Sequence, residues 1–188
     1  MADQREFKSI LKYAGREAAR EADDWFRDTA KNVRENKKDP SKLFSVRRSP
    51  AVGDMFLYVY DPKTKDKLPF WDSYPLTLIV DLTPTGFMGL NLHYLPPMAR
   101  AQLMDALMAT QNNDKYDEST KIMVSYKILK AYTSQFKGFE SCLKRYLYNH
   151  VRSGFHYVHP TDWGKVVMLP LQKWNVNTNK RYAGSPPY

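Results

Sequence analysis

The hydrophobic period changes along this chain. Between residues 4 and 37, Phe7, Ile10, Leu11, Ala14, Ala18, Ala22, Trp25 or Phe26, and Val33 recur at steps of three and four, the repeat of one face of an α-helix. The opposite face carries mixed charge, and Gly15 weakens the helix locally. The apolar stripe is narrow and alanine-rich, so this helix is expected to lie on a partner or on the outside of its own core. Asp39-Pro40-Ser41 ends it, and the basic stretch Lys42 to Arg48 leads to Pro50.

From Gly53 to Pro97 the pattern breaks into short apolar runs. Phe56, Tyr58, Tyr60, Phe70, Trp71, Tyr74, Phe87 and Tyr94 are punctuated by Pro62, Pro69, Pro75, Pro84, Pro96 and Pro97. Runs of this kind predict strands joined by tight turns, here over residues 55–60, 76–82 and 86–94. Pro62 presets φ in the first turn, and Gly86 is free to take a positive φ in the second. The run LTLIVDL at 76–82 is almost continuously apolar, as a strand buried on both faces would be.

Helical spacing returns after Pro97, with Leu103, Met104, Leu107 and Met108 on one face. A further helix is expected from Ser119 or Thr120 to about Phe136, and another over 139–151 with Leu143, Leu147 and Val151 inward. Residues 155–174 read as extended, and Val166-Val167-Met168-Leu169 is expected to add a strand. The tail has no periodicity. The chain thus divides into an N-terminal amphipathic helical arm at 1–40, an α+β core at 41–175 and a C-terminal tail at 176–188. Within the core, a β module spans 51–97, helices 97–151 and the extended segment 155–174. The predicted fold class is α+β: a small, strongly bent antiparallel sheet or SH3-like partial barrel with packed helices and the long N-terminal helix.

Charge refines this picture. Of the 188 residues, 29 are Lys or Arg and 20 are Asp or Glu. Residues 1–50 hold 13 basic and 9 acidic side chains (+4), residues 51–97 hold 3 and 5 (−2), and residues 98–188 hold 13 and 6 (+7). The excess after the β module favours a polyanion or an acidic surface as partner. Lys115 to Arg152 interleaves eight basic residues with seven Tyr or Phe, so lysines and arginines can meet phosphates while rings pack beside sugars or bases. Equally, the rings can be core and the lysines solvated. Candidate phosphate contacts are Lys127, Lys130, Lys137, Lys144, Arg145 and Arg152. No stretch approaches the roughly 20 apolar residues of a membrane span, and the polar start MADQREFK is not a secretory signal.

Catalytic readings are weak. His156, His159 and Asp162 have metal-ligand spacing, but in a strand a separation of three puts the two rings on opposite faces, and turn histidines explain them better. Cys142, the single cysteine, lies near Lys144 and Arg145, yet no base or oxyanion site accompanies it, which favours a buried structural thiol. Asp54, Asp61, Asp66, Asp72 and Asp81 flank turns, where capping accounts for them. Gly86-Phe87-Met88-Gly89 lacks the lysine of a phosphate loop. Neither enzyme activity nor a cofactor or metal is expected.

Three motifs carry a resemblance: YDPKTKDKLPFWDSYPL (Tyr60–Leu76), GFMGLNLHYLPP (Gly86–Pro97) and HPTDWGKVVMLPLQKW (His159–Trp174). They are similar to a small virion protein of T-even-like contractile-tailed phages, of the DNA end protector or virion structural kind. The resemblance covers about residues 50–175 and leaves the N-terminal helix outside. It implies a virion protein made in the host cytoplasm, partnered by other virion proteins within a symmetric assembly, and by no membrane. Two readings stay open. One is a non-enzymatic structural protein docking into the tail, baseplate or neck, with Trp25, Phe26, Trp71 and Trp174 as interface anchors. The other is a protein that binds double-stranded DNA ends through its basic C-terminal half.

Overall fold

The computed structural model describes residues 7, 12, 14–35, 51–68, 70–117, 120–121, 125, 127–128, 131, 142–169 and 175–176. Their order is α1 (Arg16–Glu35), β1 (Met55–Leu57), β2 (Phe70–Trp71), β3 (Leu76–Thr83), β4 (Gly86–Asn91), α2 (Pro97–Gln111), β5 (Leu143–Leu147), β6 (His156–Tyr157), α3 (Trp163–Met168) and β7 (Asn175–Val176). Short 3-10 turns at Leu92–Tyr94, Tyr148–His150 and Pro160–Asp162 join several of them. The fold is α+β. Five antiparallel strands in the order β5-β4-β3-β1-β6 form an open sheet rather than a closed barrel, and β2 pairs separately with β7.

Strict alternation along the strands gives the sheet two different faces. Met55, Leu57, Leu76, Leu78, Val80, Leu90 and Leu92 point towards the helices and join Ala22, Phe26 and Val33 of α1, Leu103, Met104 and Leu107 of α2, and Trp163, Val166 and Val167 of α3. Phe56, Tyr58, Tyr60, Ile79, Phe87, Tyr146, Val151 and Phe155 form a second, aromatic cluster. Its rings meet mainly edge-on, for example Tyr58 with Tyr146 at 5.6 Å and Tyr60 with Tyr146 at 5.0 Å between centroids. Each such pair is worth about 0.5–1.5 kcal/mol beyond the area it buries.

The amphipathic stripe near the N-terminus behaves as its spacing requires. Ala22, Phe26, Thr29 and Val33 are the buried positions of α1, and the helix lies against α3 on the outside of the core. Ala14 and Gly15 are not helical, so the regular helix begins at Arg16 rather than at residue 4. Phe7, in a helical conformation ahead of that break, is buried, and its N–H donates to Asp105 of α2. Phe26, expected as an anchor for a neighbouring protein, is 7% exposed and meets His93 edge-on at 5.0 Å. Its stripe position turns it into the chain's own core.

Three other expectations change. Residues 143–147 form strand β5, not a helix: Leu143, Leu147 and Val151 suit either period, and the β4 edge decides between them. Gly86 and Gly89 lie opposite Leu147 and Lys144 in that pairing. A Cβ on Gly86 would sit 1.9 Å from the Tyr146 carbonyl oxygen, and one on Gly89 would sit 2.0 Å from Thr77 Cγ2. Gly86 is thus required for close approach, since the described residue with positive φ is Gly53 at 92°. Second, Val166 and Val167 belong to helix α3, where both are fully buried. Packing against α1 and α2 overrides their β propensity, and the strand added from this segment is β6 instead. Third, β3 is buried from Leu76 only to Val80. The register shifts between Ile79 and Asp81, and after this bulge Asp81 and Leu82 face solvent. Of the helix expected over 119–136, residues 120, 121, 125, 127, 128 and 131 are described, and all are helical.

Gly89→Ala should destabilise the fold by about 1–3 kcal/mol, the usual scale of overpacking. Gly164→Ala in α3, where an added Cβ meets nothing within 4 Å, should be neutral or stabilise by up to about 1 kcal/mol. Urea denaturation of the two variants checks both; equal midpoints would contradict the packing described.

Candidate nucleic-acid interface

A cleft of about 510 Å³ opens where the edge strand β5 faces the 60–72 segment. One wall is β5 itself, from Lys144 to Leu147. Tyr60, Pro62, Lys63, Thr64 and Leu68 form the opposite rim, while Trp71, Asp72 and Tyr94 complete the lining. The β module and the basic segment therefore build one site together. Pairing of β5 with β4 creates this arrangement, with Arg145 opposite Met88 and Tyr146 opposite Phe87.

Asp72 organises the floor. Its Oδ1 accepts the Tyr74 N–H at 2.9 Å, the local turn contact that such an aspartate makes. Its Oδ2 meets His93 Nδ1 at 2.6 Å and accepts from Asn91 Nδ2 at 3.1 Å. The same Asn91 amide donates to the Tyr146 hydroxyl at 3.2 Å, so the network crosses from the 70–74 segment through β4 to β5. Burial by itself would raise the Asp72 carboxyl, but the charge of His93 and the hydrogen bonds from His93, Asn91 and Tyr74 outweigh it and hold the group below the usual carboxylate range. Asp72 is thus a fixed negative charge at neutral pH. Tyr146 is pushed well above the ordinary phenol range, mainly by burial, and stays neutral.

Positive charge lines the rim. Lys144 Nζ lies 5.5 Å from the centroid of the Tyr94 ring, and burial lowers the Lys144 amine below its ordinary value. Arg145 is exposed and donates from Nη2 to Thr85 Oγ1 at 3.2 Å. Lys63 is exposed on the facing loop. Beside the cleft, Asp61 bonds Lys65 at 2.7 Å and lies 3.8 Å from Arg152 Nη2, so Arg152 is partly neutralised and does not line the cleft. The lining thus combines three cations, one carboxylate and the partly exposed Trp71 ring with three buried tyrosines, a combination suited to a nucleotide's phosphate and base.

Of the six candidate phosphate contacts, Lys144 and Arg145 come together here. Arg152 sits alongside, Lys127 is helical and exposed and does not line the cleft, and Lys130 and Lys137 lie outside the described residues. Among the candidate anchors, Trp71 lines the cleft, Trp25 is half-buried on α1 with Lys165 Nζ 6.0 Å from its ring, and Trp174 lies outside the described residues. Charge totals by segment missed Lys63 and Asp72, because the acidic sum of the β module concealed them; the signal was the pairing of basic and aromatic residues within Pro62–Trp71. The other chemistry stays structural. Cys142 is buried and its Sγ lies 3.2 Å from the Tyr94 carbonyl. His159 caps the turn at Thr161, and Asp162 pairs with Lys165 at 2.9 Å. Among the described residues no group of three potential metal ligands comes together, and no helix is long and apolar enough to cross a membrane.

An open α+β sheet with a basic, aromatic cleft at its edge fits a protein that handles nucleic acid. The family described as phage T4 terminal DNA protecting protein matches residues 3–186, and the chain belongs to that family. The match extends the resemblance seen in the central motifs to the N-terminal helix. No curated protein and no solved structure matches the chain.

Asp72→Asn should cost about 1–3 kcal/mol at neutral pH, the scale of leaving buried polar partners mismatched. Because folding lowers the Asp72 pKa, its contribution is present above the unfolded carboxyl pKa and is lost as pH falls through the folded value. The stability gap between wild type and variant should therefore narrow from about pH 4 downward. Thermal melts across that range test it; a gap independent of pH would show that the carboxylate charge is not what matters.

Proposed function

We propose that this protein acts without catalysis, in the virion, by binding the ends of double-stranded DNA through the β5 cleft. The observation that carries this reading is the convergence of Lys63, Lys144 and Arg145 with Trp71, Tyr60 and Tyr94 around one opening, in a chain of a DNA-end protecting family. Lysine and arginine at the rim would hold backbone phosphates, and the partly exposed Trp71 ring would cover a terminal base. Such contacts release counterions, so binding should weaken steeply with salt. Partial burial of Lys144 keeps its ammonium poorly hydrated, which favours replacement of water by a phosphate oxygen.

The double variant Lys144→Gln, Arg145→Gln should bind linear duplex more weakly and lower the slope of log K against log salt by about 0.9 for each phosphate that is no longer neutralised. Since burial lowers the Lys144 pKa, wild-type affinity should also fall as pH rises through a range below that of ordinary lysines. The double variant should lack that step. Fluorescence titration with linear and covalently closed circular duplex measures both. An unchanged slope, or equal affinity for the two DNA forms, would remove the cleft from this role.

A second reading adds docking into the tail, baseplate or neck, where a protein on a DNA end would be held in the particle. Its support is Trp25, a half-buried indole on α1 of the kind enriched at interface hot spots. Trp25→Glu should leave the protein folded and reduce its copy number in purified particles; unchanged incorporation counts against this docking surface.

A further inference from the structure

The floor and the rim of the cleft carry opposite charge, and that asymmetry bears on which end of a strand can enter. An ionised carboxylate offers about four acceptor positions. At Asp72, Tyr74 N–H, Asn91 Nδ2 and His93 Nδ1 fill three. The side chain remains 13% exposed and lines the cleft, and one of its acceptor positions carries no hydrogen bond from the described residues. A group that donates a hydrogen bond is favoured there, and a phosphate is repelled. The cations Lys63, Lys144 and Arg145 stand in the lining around it. The volume, about 510 Å³, falls within the range of sites for a single small molecule. It accepts one base with its sugar, whereas a stacked base pair with two backbones exceeds it.

Building on the DNA-end reading above, we propose that the cleft takes one unpaired nucleotide from the 3′-hydroxyl end of a DNA strand. Its base lies against the half-buried Trp71 ring, its hydroxyl donates to Asp72, and the preceding phosphate rests at Lys144 and Arg145. A 5′-phosphorylated end is disfavoured, because its terminal phosphate would have to approach the Asp72 carboxylate. A blunt end gains entry only by fraying its last pair. Stacking on an aromatic ring tolerates any base, so the preference is for strand polarity and end chemistry rather than for sequence.

The test uses the full-length protein and hairpin duplexes with one open end, compared at constant salt with a closed dumbbell of the same sequence. The open ends are blunt, a short 3′-hydroxyl overhang, the same overhang carrying a 3′-phosphate, and a 5′-phosphorylated 5′ overhang. The 3′-hydroxyl overhang should bind about tenfold or more tighter than the blunt end, the scale of one stacked base, and a 3′-phosphate should abolish most of that gain. Asp72→Asn should bring the 3′-phosphate and 3′-hydroxyl ends closer together. If that variant does not fold, the wild-type comparison of the two overhangs decides alone. Equal affinity for blunt and 3′-hydroxyl ends, or for 3′-hydroxyl and 3′-phosphate ends, overturns the proposal while leaving end binding itself intact. Equal affinity for open hairpins and the dumbbell overturns both.

Discussion

The Asp72 carboxylate adds side-chain hydrogen bonds between parts of the chain that are distant in sequence and that the strand ladders bring together. Its oxygens take hydrogen from the backbone of its own turn, from the ring of His93 and from the amide of Asn91. Asn91 in turn reaches the Tyr146 hydroxyl on β5, and His93 packs against Phe26 of α1. One largely shielded charge thus couples the short β2 strand, the end of β4, the edge strand and the N-terminal helix. A charge in that position is tolerable only when several donors meet it, so the network constrains all its members at once. The same constraint leaves a negative floor beneath a positive rim.

Around this hub the sheet works as a two-sided partition. Its aliphatic face packs against α1, α2 and α3, and its aromatic face is packed from within by Tyr58, Phe87, Tyr146 and Phe155. Tyr58 and Tyr146 are buried as neutral phenols, their hydroxyls within 3.2 Å of Thr77 Oγ1 and Asn91 Nδ2 respectively. Arg100, fully buried on α2, donates to the carbonyls of Leu95 and Val166 at 2.8 Å and fixes α2 against α3. The helical layer therefore stabilises the scaffold, while the cleft sits at the opposite boundary, where β5 meets the 60–72 segment. A binding surface on an edge strand draws its precision from the sheet behind it and its access from the edge.

Much of this was legible in the residues. The strands at 55–57, 76–83 and 86–91 follow from short β-branched and aromatic runs between turn residues. The helix after Pro97 follows from its start signal, and the N-terminal stripe correctly marked Ala22, Phe26 and Val33 as one face. Cys142 as a buried thiol and the turn roles of Asp54 and Asp72 also agree with the contacts found, whereas Asp61 pairs with Lys65 and Asp81 lies within β3 at its bulge. The errors share a cause. Leu143-Lys144-Arg145-Tyr146-Leu147 and Val166-Val167-Met168-Leu169 are short, and their local pattern suits a helix or a strand. In both cases a distant neighbour decided: the edge of β4, with Gly86 in close approach, for the first, and the packing of α1 and α2 for the second.

The phage family, the α+β class, the central aromatic module and the location of the excess positive charge are all written in the residues, because these depend on composition, local period and contiguous motifs. That the acidic-sum β module and the basic segment after it share a single cleft emerges only on folding. Asp72 and Lys144 are separated by 71 intervening residues, and no local periodicity records a meeting of that kind. Long-range strand pairing brings them to one edge, and the electrostatics of the cleft exist only once that pairing has formed.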